Sequence, residues 1–407
     1  MTNTSRFHIM RGAAALASTV LLATACEMAV TNPGPIPDAA LNTTLAVPAI
    51  VNGMSGDLSL GLGGIVLRSG LASGELTAAG NFADEGFFYT GTFTGLNANT
   101  DWANMQRARW TSESGLERMK TVLGSAFETN GDTPRAYLYA GFANRLLGEM
   151  TCTAVIDGGP AQSDSVYFQR ADSLFTRAYT LATARSNTSV ANAALAGRAS
   201  IRAWLGNWTG AVADAALVPN NFLFNAIYGI GTSRENLYMA EQTITRREVT
   251  VWGTYWATQS KLDPRTPWDT VKTGSTLTKG QDGKTIFFRQ MKYLALGSSV
   301  PLVKGAEMLV LRAEYALRSG DIAGMTTLLN TARAQYTGLA VLTAPTTTAA
   351  AWTLLQRERG AVLWLEARSL WDMRRWNAEG TSTFLTGRNK CVPVSDNEYA
   401  SNANLRK

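Results

Sequence analysis

Histidine is all but missing from this sequence. The 407 residues contain one, His8, and it lies in a segment whose character marks it for removal. A mature chain without histidine has no imidazole to serve as a general base, complete a Ser-His-Asp triad or ligate a metal. Cysteine is almost as scarce, with Cys26, Cys152 and Cys391 only. Charged residues make up 17% of the chain. No Lys/Arg run follows the pattern of a nucleic-acid backbone, so nucleic acid is not expected as a partner. The formal charge of +6 falls to about +4 without Arg6 and Arg11, a mild excess for this length. No metal and no cofactor is expected. Against these absences stands a hydrophobic content of 45%, enough for one large core or two ordinary ones.

The N-terminus has the layout of a secretory signal. Arg6 and Arg11 precede an apolar run from Ala13 to Ala23, and Ala23, Thr24 and Ala25 lead to Cys26. The run is too short to span a bilayer comfortably. A cysteine directly after small residues resembles a lipoprotein signal, with residues 1–25 removed and Cys26 acylated. Plain secretion with a free Cys26 is the alternative. The stretch after Cys26 is rich in proline and glycine and reads as a tether from lipid to domain. A secreted chain permits a Cys152–Cys391 disulfide, worth at most ~5 kcal/mol by chain entropy. Two buried thiols are the other reading.

The body is helical by pattern. Leu41 to Ser69 reads as a glycine-rich helix, and Phe82 to Asn99 as a polar and aromatic loop. From Asp101 helical periodicity returns. Similar helices follow over Pro134–Met150, Asp164–Ala184, Ser189–Leu205, Trp208–Ala216, Pro301–Arg318 and Ile322–Tyr336. Two pairs share a wording, with a long helix, a break at Gly206-Asn207 or Gly320-Asp321, then a second helix. This is a tetratricopeptide-like pattern of stacked pairs, over about 133–219 and 301–376. The fold class expected is mainly α, a helical-repeat scaffold with irregular loop insertions. The longest insertion, about 220–300, breaks the repeat. Trp352 to Trp376 reads as one long amphipathic helix with a solvated charged edge, on which Arg368–Asp372 and Asp372–Arg375 can pair.

Glu358, Arg359, Leu363, Glu366, Asp372, Arg374, Arg375 and Trp376 in that stretch resemble the C-terminal signature of the SusD/RagB family. The chain departs from it at Val362, Ala367 and Ser369, where the family tends to have an acid, a glycine and a polar or basic residue. Asn32-Pro33, Asp263-Pro264-Arg265, Lys292-Tyr293 and the tail from Pro393 to Glu398 are similar to the family as well. The resemblance implies a single SusD-like domain over 26–407, lipid-anchored at the outer membrane and facing the cell exterior. It further implies capture of a glycan or another oligomeric nutrient and delivery to a TonB-dependent (SusC-like) transporter, without catalysis. Sugar recognition needs aromatic faces and polar side chains. The insertion supplies Trp252, Tyr255, Trp256 and Trp268, with Asp263 and Arg265 as polar partners. Trp268, in a proline-bounded loop, is the ring expected to be exposed. The other functional classes are a protein-interaction module on the helical repeats and a carboxylate-dependent glycosidase.

Overall fold

The computed structural model describes residues 37–232, 234–258 and 263–406. The signal segment, Cys26 and Asn32-Pro33 lie outside the described residues. The chain divides into two compact units, Met1–Asn42 and Thr43–Lys407. The described part of the first holds one short turn of 3₁₀ helix, Asp38–Leu41.

The second unit is built around α1, Val47–Ala72, which starts with proline in its first turn and is buried almost all round. By length and composition it could cross a bilayer, but 72% of its apolar window is buried inside the protein. Its glycines allow neighbours to close in. A Cβ on Gly64 would sit 2.6 Å from an Asp101 carboxylate oxygen, and one on Gly61 would sit 3.2 Å from the Asn104 carbonyl. Both residues belong to α3, Asn99–Leu123. The loop expected at Phe82 to Asn99 is in part a helix, α2, Ala83–Thr90, stopped by Gly91 at φ +73°. Phe88 and Phe93 stack there in the core, 4.2 Å apart, which supplies the burial that the polar composition hid.

The repeat pairs form as the pattern suggests. They are α4 (Thr133–Met150), α5 (Ser165–Thr183), α6 (Thr188–Trp204) and α7 (Trp208–Leu217), each packed on the one before. Phe175 of α5 explains the spacing. Its ring lies where a Cβ on Gly141 of α4 would be 2.7 Å away, and one on Gly197 of α6 would be 2.5 Å away. Gly206 takes φ +83°, and Asn207 then caps α7 by accepting from the Gly210 amide at 2.9 Å. The same device recurs between α9 (Gly305–Arg318) and α10 (Ile322–Arg333). There Gly320 takes φ +81° and Asp321 accepts from the Gly324 amide at 2.7 Å.

Among the described residues strands come in five antiparallel two-stranded pairs: β1 Thr77–Ala78 with β5 Val249–Thr250, β2 Thr153–Ala154 with β3 Gln162–Ser163, β4 Leu223–Ala226 with β10 Val300–Lys304, β6 Trp268–Thr270 with β9 Phe288–Gln290, and β7 Lys272–Thr273 with β8 Thr276–Leu277. The β4–β10 pair closes the insertion, which leaves and rejoins the helices through one ribbon. The residues Pro301–Lys304, expected as the start of a helix, therefore belong to a strand. Proline tolerates that place because the register shifts between Pro301 and Val303. Cys152 and Cys391 form a disulfide, with Cα atoms 5.7 Å apart, and Val392 donates to the Met150 carbonyl beside it.

The expected single helix from Trp352 to Trp376 is two. The first, α11, is Thr348–Val362, and α12 is Ser369–Ala378, with Leu365 at φ +54° and Ala367 at φ +59° between them. Polar groups distant in sequence hold this break. Lys292 Nζ donates to the Trp364 carbonyl at 2.6 Å and Lys304 Nζ to the Val362 carbonyl. The Tyr293 hydroxyl donates to the Leu365 carbonyl at 2.9 Å, and the Leu365 amide donates to Glu75 at 3.0 Å. Four of the backbone groups that the break frees thus find tertiary partners, and that offsets part of the strain. A family glycine at position 367 fits the left-handed φ that Ala367 adopts here.

Candidate functional site

The charges of the signature are structural. They do not form the solvated edge expected from the sequence: Glu358, Arg359, Glu366, Arg368, Asp372 and Arg375 are buried, and the partly buried Arg374 pairs with Asp164 at 2.7 Å. Asp372 does pair with Arg375, at 2.8 Å, and also with Arg359 at 2.7 Å. The expected Arg368–Asp372 pair does not form. Arg368 instead reaches Glu149 on α4 and the Leu302 carbonyl, because the helix break turns it inward. Glu366 sits between Lys292 and Lys304 at 2.5 and 2.6 Å. Glu314 of α9 is gripped by Arg375 and Arg318. Burial alone would raise its carboxyl, but these cations and Arg359 hold it down to about 2.

Beside this network opens a cleft of about 660 Å³. Five stretches far apart in sequence make its wall: 71–77, 89–90, 253–256, the α11–α12 region and 382–388. Its rim is aromatic. Tyr255 and Trp256, in the short helix α8 (Tyr255–Thr258), meet edge to face at 5.2 Å. Tyr89 and Phe384 also line it, and exposures of 47% for Tyr255, 39% for Tyr89 and 42% for Phe384 leave the rings accessible to a ligand. Two glycines shape it. Gly74, at φ +75°, lies under the Phe384 ring, where a Cβ would be 2.9 Å from Cζ. Gly360 lies under Trp256, where a Cβ would be 3.1 Å from the indole.

The deeper lining is polar and incompletely matched. Ser73 Oγ, Glu75 Oε2, Trp376 Nε1 and Arg388 Nε are buried and have no hydrogen-bond partner among the described residues. Burial pushes the Glu75 carboxyl up to about 7, against the lowering pull of Ser369, the Leu365 amide and Lys292. Such groups cost free energy while unpaired, and a ligand or ordered water that reaches them as the lining side chains shift would recover it. Orphan nitrogens also occur in the ion-pair network, on Arg359 and Arg145, but there the same guanidinium grips a carboxylate through another nitrogen. A second hollow of equal volume around Trp110 is charged, but its groups answer one another: Arg109 with Glu113 and Asp157, Arg170 with Glu113, and Lys120 with Glu117. The matched hollow is the weaker candidate for that reason.

The insertion residues are placed unevenly around this cleft. Tyr255 and Trp256 line it, while Trp252 is 38% exposed but is not part of its wall. The Trp268 ring is half-buried rather than exposed. It stacks on Phe288 at 4.8 Å, and its Nε1 donates to the Trp256 carbonyl, behind Trp256. Arg265 is buried between Asp263 and Glu358, at 2.7 and 2.5 Å. With Asp263 and Trp256 it lines a smaller hollow of about 350 Å³. Ser73, Glu75, Tyr89, Phe384 and Arg388 were not legible as site residues. Among the described residues no three His, Cys, Asp or Glu side chains converge as metal ligands.

No family model matches the chain, and no curated protein matches it. Solved structures do. A SusD superfamily protein from Bacteroides vulgatus superposes with a TM-score of 0.66 at 14% identity, covering 88% of this chain and 97% of the other. A SusD-like carbohydrate binding protein from the same organism gives 0.61 at 14% identity, over 81% and 83% of the two chains. A laminarin binding SusD-like protein gives 0.61 at 11% identity, over 88% and 97%. At these identities the likeness is one of fold, and the chain carries the helical-repeat fold of the SusD/RagB-like proteins that its C-terminal motif resembles.

Proposed function

We propose that the protein binds a glycan in the cleft ringed by Tyr255, Trp256, Tyr89 and Phe384, and does so without catalysis. The observation that carries this is one cleft that joins accessible aromatic faces to unpartnered polar atoms. Rings pack on the C–H faces of sugars while donors and acceptors beneath them take hydroxyls. Trp268, Asp263 and Arg265 act behind that surface in this reading, fixing Trp256 and α11, and Trp252 extends it outward. The layout around Cys26 and the fold of the similar proteins support a lipid-anchored protein on the outer membrane. They also support transfer of the captured glycan to a TonB-dependent transporter.

Calorimetric titration of the soluble protein, begun after the tether, against a panel of neutral and acidic oligosaccharides tests the binding step. At least one glycan is expected to bind unmodified. A folded Tyr255→Ala/Phe384→Ala double variant should lose about 1 to 3 kcal/mol of affinity per ring. Absence of binding across the panel, or an unchanged double variant, refutes the reading.

A further inference from the structure

Arg388 is a cation without an anion. Its side chain lines the cleft, with the guanidinium carbon 5.2 Å from the Phe384 ring centre. One nitrogen donates to the Tyr89 carbonyl at 2.5 Å and the Ala72 carbonyl at 3.3 Å, which aims the plane of the group. Nε is buried and unpartnered, and no carboxylate pairs with Arg388 among the described residues. Burial lowers its pKa, with only the Tyr89 phenol acting in the other direction. This contrasts with the ion-pair network, where Arg145, Arg359, Arg368 and Arg375 each hold a carboxylate.

A second guanidinium lines the same cleft. Among the described residues Arg357 pairs only with Glu358, which Arg265 and Arg333 already share. With Asp263, that group has three guanidiniums for two carboxylates, so Arg357 carries the excess positive charge. The acids of the lining do not cancel it. Asp372 is committed to Arg359 and Arg375, and burial keeps Glu75 protonated up to about neutrality. A guanidinium is a planar donor fork, matched to the paired oxygens of a carboxylate or sulfate.

Building on the glycan reading of the cleft, we propose that its ligand is acidic, a carboxylated or sulfated glycan whose anionic group is held by Arg388 with Arg357 nearby. A neutral glycan would use the rings and offer the guanidinium hydroxyls, but would leave its charge unanswered.

The test titrates the protein with oligogalacturonate, sulfated dextran oligomers, laminarin oligomers and neutral dextran oligomers, at low and high salt. Tighter binding of an acidic oligomer than of the neutral ones, weakened by salt, is expected. Which acidic oligomer binds separates carboxylate from sulfate. Arg388→Gln should lower that affinity about tenfold or more, and Arg388→Lys should retain part of it. Any binding of the neutral dextran should fall by a smaller factor, because it loses a hydroxyl contact and not an ion pair. Melting curves check that the variants fold. Arg357→Gln, at a partly exposed position, reads the same effect if Arg388→Gln does not fold. Neutral oligomers bound as tightly as acidic ones, or an acidic affinity indifferent to salt, overturns the proposal and leaves the cleft reading standing. Acidic binding unchanged in the folded arginine variants does the same. No binding by any oligomer overturns both.

Discussion

Glu314 and Glu75 are both fully buried carboxyls, and what separates them is guanidinium contact. Arg375 and Arg318 reach Glu314 directly, and its carboxyl is held down to about 2. Glu75 has Ser369 and the Leu365 amide beside it and the Lys292 ammonium acting on it, but no guanidinium, and burial pushes its carboxyl up to about 7. The first belongs to a scaffold whose charges answer one another. The second lies in a cleft whose charges and polar atoms are left over. That difference separates what folds the chain from what a ligand would complete. It also changes the meaning of the C-terminal signature. Glu358, Arg359, Glu366, Asp372 and Arg375 join α11 and α12 to α9, α10 and the β9–β10 connection, so the motif records how the scaffold locks together.

The comparison can be broken most violently on the scaffold side. Glu149 accepts from Arg145 at 2.8 Å and from the Trp204 indole at 3.0 Å, and it also pairs with Arg368. Glu149→Ala leaves two buried guanidiniums short of a partner and should cost about 3 to 5 kcal/mol in a denaturant titration. A loss under about 1 kcal/mol would mean that the network is not a determinant of stability.

On the cleft side the same kind of change should act in the opposite direction. Glu75 has a native pKa of about 7 against an ordinary 4.5. Between those values the folded protein keeps a proton that the unfolded chain has released. Stability therefore falls as pH rises through the window, and the penalty is complete above about 7. The groups facing Glu75 are the Leu365 amide, Ser369, Lys292 and Glu366. Glu75→Gln should be more stable than the parent at pH 8 by about 3 kcal/mol, and near parity at pH 4.5. Unfolding curves whose difference does not change with pH would contradict this.

The smallest effect sharpens the boundary between the two regions. Ala367 is buried at φ +59° between α11 and α12. Ala367→Gly relieves a left-handed conformation costing about 1 to 2 kcal/mol, partly offset by the greater freedom of glycine in the unfolded chain. A net gain of up to about 1 kcal/mol is expected, and Ala367→Val should destabilise. A glycine variant less stable than the parent by more than that amount would show that the Ala367 methyl group matters more than its strain.

The scaffold was largely legible in the sequence, and the cleft was not, for a physical reason. Gly206-Asn207 and Gly320-Asp321 announce helix turns locally, because left-handed φ and side-chain capping are properties of adjacent residues. The break after Val362 carries no such mark. Leu365 and Ala367 are ordinary helix formers, and what bends them is Lys292, Tyr293, Lys304 and Glu75, all distant in sequence. The departure from glycine at Ala367 was the one local hint. The cleft takes residues from five segments, and Ser73, Glu75, Phe384 and Arg388 share neither periodicity nor motif. Tyr255 and Trp256 stood out only as aromatics clustered outside the repeat.

Amide hydrogen exchange with and without a bound oligosaccharide tests the central claim most directly. The ligand should slow exchange in 73–77, 253–256 and 382–388, the segments that meet only at the cleft. Protection around Trp110 instead, with these three segments unchanged, would contradict the assignment of the cleft as the binding site.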